Sequence, residues 1–181
     1  MRTSFIERAI DFVQRKINIK RYWIKKGLVI GHDCEIYQSA VFGSEPYLVR
    51  LGNHVRINRD VEFVTHDGGV WVLRHLAGQN TGIDDKVKKA DLFGPIVVGD
   101  NVHIGTRAII MPNVTIGNNC IIGCGAIVTK DIPDNSIAVG IPARVIETID
   151  DYYKKHLADF DFIKGLSTKN KTDYLIRKFQ K

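Results

Sequence analysis

Aliphatic residues recur at every sixth position in the second half of the chain. They are Val98, Ile104, Ile110, Ile116, Ile122 and Val128. A period of six matches neither an α-helix nor an ordinary hairpin spacing, and self-similarity at a fixed period indicates a solenoid of stacked strands. Three hexads make one turn of a coil, so equivalent residues stack about 18 positions apart with their aliphatic side chains inside.

A second hexad position supports the same interpretation. Four residues after each aliphatic residue stands a small or apolar side chain, namely Val102, Ala108, Val114, Cys120, Ala126 and Ile132. The same phase is found upstream at Ile30, Ile36, Phe42, Leu51, Ile57 and Phe63. Residues 44–50 and residues 67–95 interrupt the register. We therefore expect one β-helix over residues 28–146, with a short insertion and a long one.

Helical patterning flanks the predicted coil at both ends. Residues 3–19 carry apolar side chains at helical spacing, namely Ile6, Ile10, Val13 and Ile17. We assign residues 1–27 to an amphipathic cap, because the open end of a solenoid needs a cover. The basic residues near Trp23 also fit the alternative of contact with a membrane surface. Residues 147–181 are predicted to form a polar helical extension, to which no catalytic group is assigned.

Composition limits the classes of partner and compartment. The formal net charge of +6 over 181 residues suits an anionic partner, but the basic residues accompany no nucleic-acid motif, so no nucleic-acid partner is expected. No segment approaches the roughly 20 apolar residues of a membrane span, and the N-terminus lacks a secretory signal. Three cysteines are too few and odd in number for a disulfide framework. These features predict a cytoplasmic enzyme with free thiols.

Three segments of the repeat are distinctive in composition. They are VGDNVHIG at 98–105, IGCGAIVTKD at 122–131 and VGIPARV at 139–145. With these segments, residues 30–146 resemble the hexapeptide acyltransferases, and among them the branch that acetylates sugars and polysaccharide precursors. The resemblance implies a left-handed parallel β-helix, although the general rule for parallel crossovers favours the right hand. It also implies acetyl-CoA as co-substrate and a homotrimer with active sites shared between subunits.

The resemblance assigns the catalytic base to His66, which lies on the coil just before the long insertion. In the family, a histidine at this position deprotonates an acceptor hydroxyl, which then attacks the thioester carbonyl directly. Imidazole is largely neutral and basic near pH 7, as this step requires. The expected acceptor is a hydroxyl of a sugar or polysaccharide precursor.

Further site residues follow from the resemblance and from the long insertion. The positions expected near coenzyme A are Thr106, Cys124, Thr129, Lys130 and Arg144. The two cations in this set are candidates for phosphate binding, because charge-assisted hydrogen bonds are the stronger kind. Loops as long as residues 67–95 are uncommon without a function, so we expect this one to help bind the acceptor. Its candidate sugar-binding residues are Asp67, Trp71 and Arg74.

One departure from the family pattern and three alternatives stand beside this interpretation. His103 occupies a position where sugar acetyltransferases of the family often have tryptophan, so it could reshape the wall of the cofactor site or add a polar group near the thioester. The nearest alternative is N-acetylation of an amino sugar with the same base. A metal-dependent hydratase would need three convergent histidines, and the spacing of His54, His66 and His103 does not provide them, so no metal is expected. A β-helix used as a non-enzymatic scaffold would not need the cofactor residues.

Overall fold

The computed structural model describes residue 13 and residues 18–180. Of the amphipathic pattern predicted for residues 3–19, residues 3–12 and 14–17 therefore lie outside the described residues. The described part divides into two compact units, one ending at Ile149 and the other beginning at Asp150.

The hexads form strands that are numbered here in chain order and that lie in three sheets. The first sheet contains β1 (Val29–Ile30), β3 (Val49–Leu51), β6 (Ile96–Val98) and β9 (Val114–Ile116). The second contains β2 (Glu35–Ile36), β4 (Arg56–Ile57), β7 (Val102–Ile104), β10 (Cys120–Ile122), β12 (Ser136–Val139) and β13 (Arg144–Thr148). The third contains β5 (Glu62–Phe63), β8 (Ile109–Ile110) and β11 (Ile127–Val128). The neighbours pair in parallel except β12 and β13, which are antiparallel.

The repeating aliphatic residues fill the interior of the coil, as the period of six predicts. Ile104, Ile110, Ile116 and Ile122 are fully buried, and the strands alternate between buried and exposed side chains. Ile104 pairs with Ile122, so equivalent residues of successive coils are 18 positions apart in the sequence. The separation is 21 residues across the short insertion and 47 across the long one. Both insertions leave the stacking of the interior side chains intact.

Polar residues fix the corner between the first and second sheets. The side chain of Asp100 accepts the backbone N–H of Asn53 at 2.7 Å, and the amide oxygen of Asn118 accepts that of Asp100 at 2.8 Å. The same corner needs glycine, because a Cβ at Gly52 would lie 2.7 Å from the carbonyl oxygen of Gly99. These contacts hold successive coils in one register.

A short helix covers the first coil. It is α1 (Ile19–Lys25), whose N-terminus is capped by the Asn18 side chain accepting from the backbone N–H of Arg21 at 3.0 Å. Its Trp23 packs edge-on against Phe42 with ring centroids 5.3 Å apart. Phe42 in turn stacks on Phe63 of the next coil at 4.7 Å. The aromatic column joins this helix to the aliphatic interior.

The long insertion has secondary structure of its own, which the hexad pattern does not predict. It contains α2 (Val70–Leu76) and a 3-10 helix over Asp85–Lys89, which pack together. The Arg74 side chain contacts the part of the insertion that leads back to the coil, its returning limb. Its Nε donates to the carbonyl of Ala90 at 2.7 Å, and its guanidinium forms an ion pair with Asp91. The insertion is therefore an ordered excursion from the coil.

The C-terminal unit is helical. Helix α3 (Ile149–His156) begins at the last residue of the first unit, and α4 (Thr168–Phe179) follows a 3-10 turn and a loop. Within this unit, the Tyr174 hydroxyl donates to Asp161 at 2.6 Å. Across the described helices of both units, none has the length and apolar character of a membrane span.

Replacing Ile116 with alanine tests the stacked interior. The side chain is fully buried between coils, so we expect the free energy of unfolding to fall by about 2–5 kcal/mol. The control is Thr115→Ala on the exposed face of the same strand, which should cost about 1 kcal/mol or less. Chemical denaturation followed by circular dichroism measures both changes, and equal losses would contradict an interior position for Ile116.

Candidate functional site

His66 lies where the chain leaves the third sheet at the start of the long insertion. The insertion returns to the coil beside it, and the two limbs are joined by backbone hydrogen bonds on either side of an antiparallel bridge between His66 and Phe93. Asp67 N–H donates to the carbonyl of Leu92 at 2.8 Å, and Gly94 N–H donates to that of Thr65 at 3.0 Å. The backbone around His66 is thus held from both directions.

Polar groups from the short insertion surround one nitrogen of the imidazole. Nδ1 of His66 lies 3.2 Å from the Ser44 hydroxyl and 3.3 Å from the Glu45 carboxylate. The same carboxylate accepts a 2.7 Å hydrogen bond from the Thr65 hydroxyl. An ionised carboxylate can only accept, so Nδ1 carries the hydrogen and the lone pair of the neutral ring resides on Nε2. This is the tautomer that a general base needs.

The surroundings of Glu45 favour its ionised form. Burial is the largest effect on its pKa and by itself would raise it, since the side chain is 15% exposed. Hydrogen bonds from Thr65, Ser44 and His66, together with the positive charge of His66 when it is protonated, outweigh burial and lower the pKa of Glu45 below its ordinary value of about 4.5. Glu45 is therefore a carboxylate at neutral pH, suited to orient the imidazole and to stabilise its protonated form.

An aromatic ring also contacts His66. The rings of His66 and Phe93 meet edge-on, with centroids 6.0 Å apart and planes inclined by 61°. Phe93 remains 48% exposed. Sequence reasoning missed Ser44, Glu45 and Phe93, because all three stand in insertions, where the hexad phase is lost.

The structure places the predicted acceptor residues along the first part of the long insertion. The Asp67 carboxylate accepts the backbone N–H of Gly69 at 2.7 Å, and Arg74 joins the two limbs of the insertion. Trp71, on α2, is 71% exposed. Asp67 and Arg74 therefore contribute to the shape of the loop, and Trp71 is available to a ligand.

The predicted cofactor residues of the third sheet lie at the two opposite ends of its strands. Where the chain enters this sheet, the carbonyl of Thr106 accepts the backbone N–H of Gly125 at 2.8 Å, which places Thr106 beside the exposed Cys124. Thr129 and Lys130 follow β11, at the C-terminal ends of the strands in this sheet. His66 lies at the same ends of the strands, beyond β5, which is two strands or roughly 10 Å from β11.

Arg144 begins β13 of the second sheet. The preceding residue, Ala143, donates its N–H to the carbonyl of Ile127 at 2.8 Å, and this contact attaches the segment to β11, the outermost strand of the third sheet. The Arg144 side chain is exposed and donates from Nη1 to the carbonyl of Ala143 at 2.9 Å.

His103 lies on a different face of the coil from His66. It belongs to β7 of the second sheet and lines a cleft of about 260 Å³ with His54, Arg56 and Asn101 among its neighbours. Burial, and secondarily the charge of Arg56, lower the pKa of His103 below its ordinary value. His54 and His103 are thus separated from His66 by the sheet arrangement. Within residues 18–180, no group of three or more potential protein ligands is arranged to hold a metal ion.

Comparison with known proteins supports the sequence resemblance. Residues 95–130 match the family described as bacterial transferase hexapeptide (six repeats). Protein CapG of Staphylococcus aureus is 44% identical over 168 residues, which cover 91% of this chain and 92% of that protein. Galactoside O-acetyltransferase of Escherichia coli (strain K12) is 55% identical over 70 residues, covering 38% of this chain and 34% of that protein.

A solved structure adds a likeness in three dimensions. The structure of a galactoside acetyltransferase in complex with coenzyme A superposes with a TM-score of 0.52 at 26% sequence identity, over 75% of this chain and 72% of that one. This likeness supports the left-handed coil that the resemblance implies. With a relative that matches nearly the whole chain and a repeat match at its centre, the chain belongs to the bacterial hexapeptide transferase family.

Proposed function

We propose that this protein is an O-acetyltransferase that transfers the acetyl group of acetyl-CoA to a hydroxyl of a sugar or polysaccharide precursor. The observation that carries the proposal is the contact between Glu45 and Nδ1 of His66, which leaves Nε2 as a base beside an ordered loop. The relatives, a galactoside O-acetyltransferase among them, support a sugar acceptor. Transfer to an amino sugar would use the same base and would give an amide in place of an ester.

The reaction needs one base and no covalent acyl-enzyme. Nε2 of His66 removes the proton of the acceptor hydroxyl as its oxygen attacks the thioester carbonyl carbon. Collapse of the tetrahedral intermediate breaks the carbon–sulfur bond, and the imidazolium returns the proton to the departing thiolate. Glu45 acts through His66: its negative charge stabilises the imidazolium that forms between these two proton transfers.

The cations near the third sheet fit the phosphates of coenzyme A. Lys130 and Arg144 are exposed and can form charge-assisted hydrogen bonds with phosphate oxygens. Thr106 and the exposed Cys124 precede strands of that sheet, and we assign the pantetheine arm to this side. Because Thr106 and Cys124 precede the strands of that sheet whereas His66 follows one, we propose a homotrimer in which neighbouring subunits complete each active site.

Removing the proposed base tests the function directly. We expect His66→Ala to lower turnover at least about a hundredfold, because general-base catalysis typically contributes about 10²- to 10⁴-fold, while acetyl-CoA binding stays nearly intact. Thiol release measures turnover and calorimetry measures binding. The control is His75→Ala, an exposed histidine of the same insertion. Near-normal turnover in the His66 variant would remove this residue from the mechanism.

The role of Glu45 as a positioning residue is tested by Glu45→Gln. The amide is isosteric but neutral, so it cannot stabilise the imidazolium, and we expect kcat to fall at least about tenfold with little change in the KM for acetyl-CoA. Glu45→Asp keeps the charge and should restore part of kcat. Glu62→Gln, at an exposed carboxylate of β5, is the matched control. Equal kcat in the Gln and Asp variants would contradict a charge-dependent role.

The phosphate assignment is tested by Lys130→Ala. Loss of a hydrogen bond to a charged group should raise the KM for acetyl-CoA about tenfold or more. S-acetylpantetheine has no phosphates, so its KM should be the same in the variant and the wild type. Lys164→Ala removes an exposed cation in the C-terminal unit and should change neither constant. An equal loss with both thioesters would exclude a phosphate contact.

A further inference from the structure

We propose that Phe93 is the platform on which the acceptor sugar stacks, and that the acceptor is therefore a pyranose with an apolar C–H face. The inference rests on the proposed function and adds the substrate class of the same site. It starts from one juxtaposition, the ring of Phe93 against the imidazole of His66 with centroids 6.0 Å apart.

The backbone holds Phe93 in this place. The residues on either side of it, Leu92 and Gly94, are hydrogen-bonded to the residues on either side of His66. Gly94 also packs tightly on the coil, since a Cβ there would lie 2.6 Å from Cγ of Asn113. The limb that carries Phe93 therefore cannot shift easily. A rigid position is what a binding surface for a reacting sugar requires.

The two nitrogens of the His66 imidazole have different roles. Ser44 and Glu45 occupy Nδ1, so an acceptor hydroxyl must approach Nε2. A molecule bound there comes within reach of Phe93, which contacts the same imidazole and retains 48% of its exposure. The acceptor thus meets a base and an aromatic surface together.

This pairing selects for a cyclic sugar. A pyranose presents hydroxyls around its rim and C–H groups on its faces, and the negative face of an aromatic ring attracts such C–H groups. The rim hydroxyl can donate to Nε2 while the ring face packs on Phe93. An acyclic alcohol has no such face and gains little from the phenyl ring. Trp71 lies farther along the insertion on α2, and its indole has no contact with His66 among those the structure describes.

The experiment compares two acceptor types in the full-length protein. Methyl pyranosides of glucose, galactose and N-acetylglucosamine serve as cyclic acceptors, and glycerol at high concentration serves as the acyclic one. For the pyranoside that the wild type uses best, Phe93→Ala should raise the acceptor KM about tenfold. The KM for acetyl-CoA and the rate of transfer to glycerol should stay unchanged.

Further variants separate stacking from simple apolar contact. Phe93→Tyr and Phe93→Trp keep an aromatic face and should keep the acceptor KM within about threefold of the wild type, whereas Phe93→Leu should resemble Phe93→Ala. Leu92→Ala, at the exposed neighbouring residue, is the matched control and should behave as wild type. Phe93 is half-exposed, so these proteins should fold, and their melting temperatures check this.

The possible failures are distinguishable. If Phe93→Leu keeps the wild-type acceptor KM, or if no methyl pyranoside saturates the wild type, the stacking platform is wrong. If transfer to glycerol still depends on His66 in that case, the proposed function stands without it. If transfer to neither acceptor type depends on His66, the proposed function itself fails.

Discussion

The hydrogen-bonded stacking of one coil on the next is the constraint on which the rest of the structure depends. Ile57 pairs with Ile104 and Ile104 with Ile122, so each interior residue sits above an equivalent one. Burial of these aliphatic columns drives folding, and the parallel backbone ladders fix the height of each coil at about 4.8 Å per strand. Any side chain at a corner therefore has defined neighbours above and below it.

The two insertions use this rigidity. Both leave the coil after the third side of a turn, the short one after Phe42 and the long one after Phe63, whose rings stack at 4.7 Å. Because the stacked rings keep the coils in register, Glu45 and His66 meet even though they are separated by 21 residues. The charged and aromatic groups around the imidazole come from irregular segments, while the coil supplies the precision of their placement.

The interior could be predicted from the sequence because each buried side chain has a phase in the repeat. Glu45 and Phe93 have no such phase, since an insertion of unknown path does not show which coil residue it will contact. Helix α2 escaped prediction for a related reason: its apolar residues are largely exposed, so they do not follow the pattern of burial that marks an amphipathic helix. The structure also joins Arg74, which sequence reasoning assigned to the acceptor, to the returning limb of its own loop.

The sequence by itself determined the three-sided coil, the residues that fill it, the family, and the position of His66 at the start of an insertion. These features depend on local spacing, because aliphatic residues at every sixth position are buried together when the chain forms a three-sided coil. The tertiary structure decided which groups surround the imidazole and which of its nitrogens remains for the acceptor. Those contacts arise where two insertions return to the coil, and the point of return depends on the packing of whole segments rather than on the period of the chain.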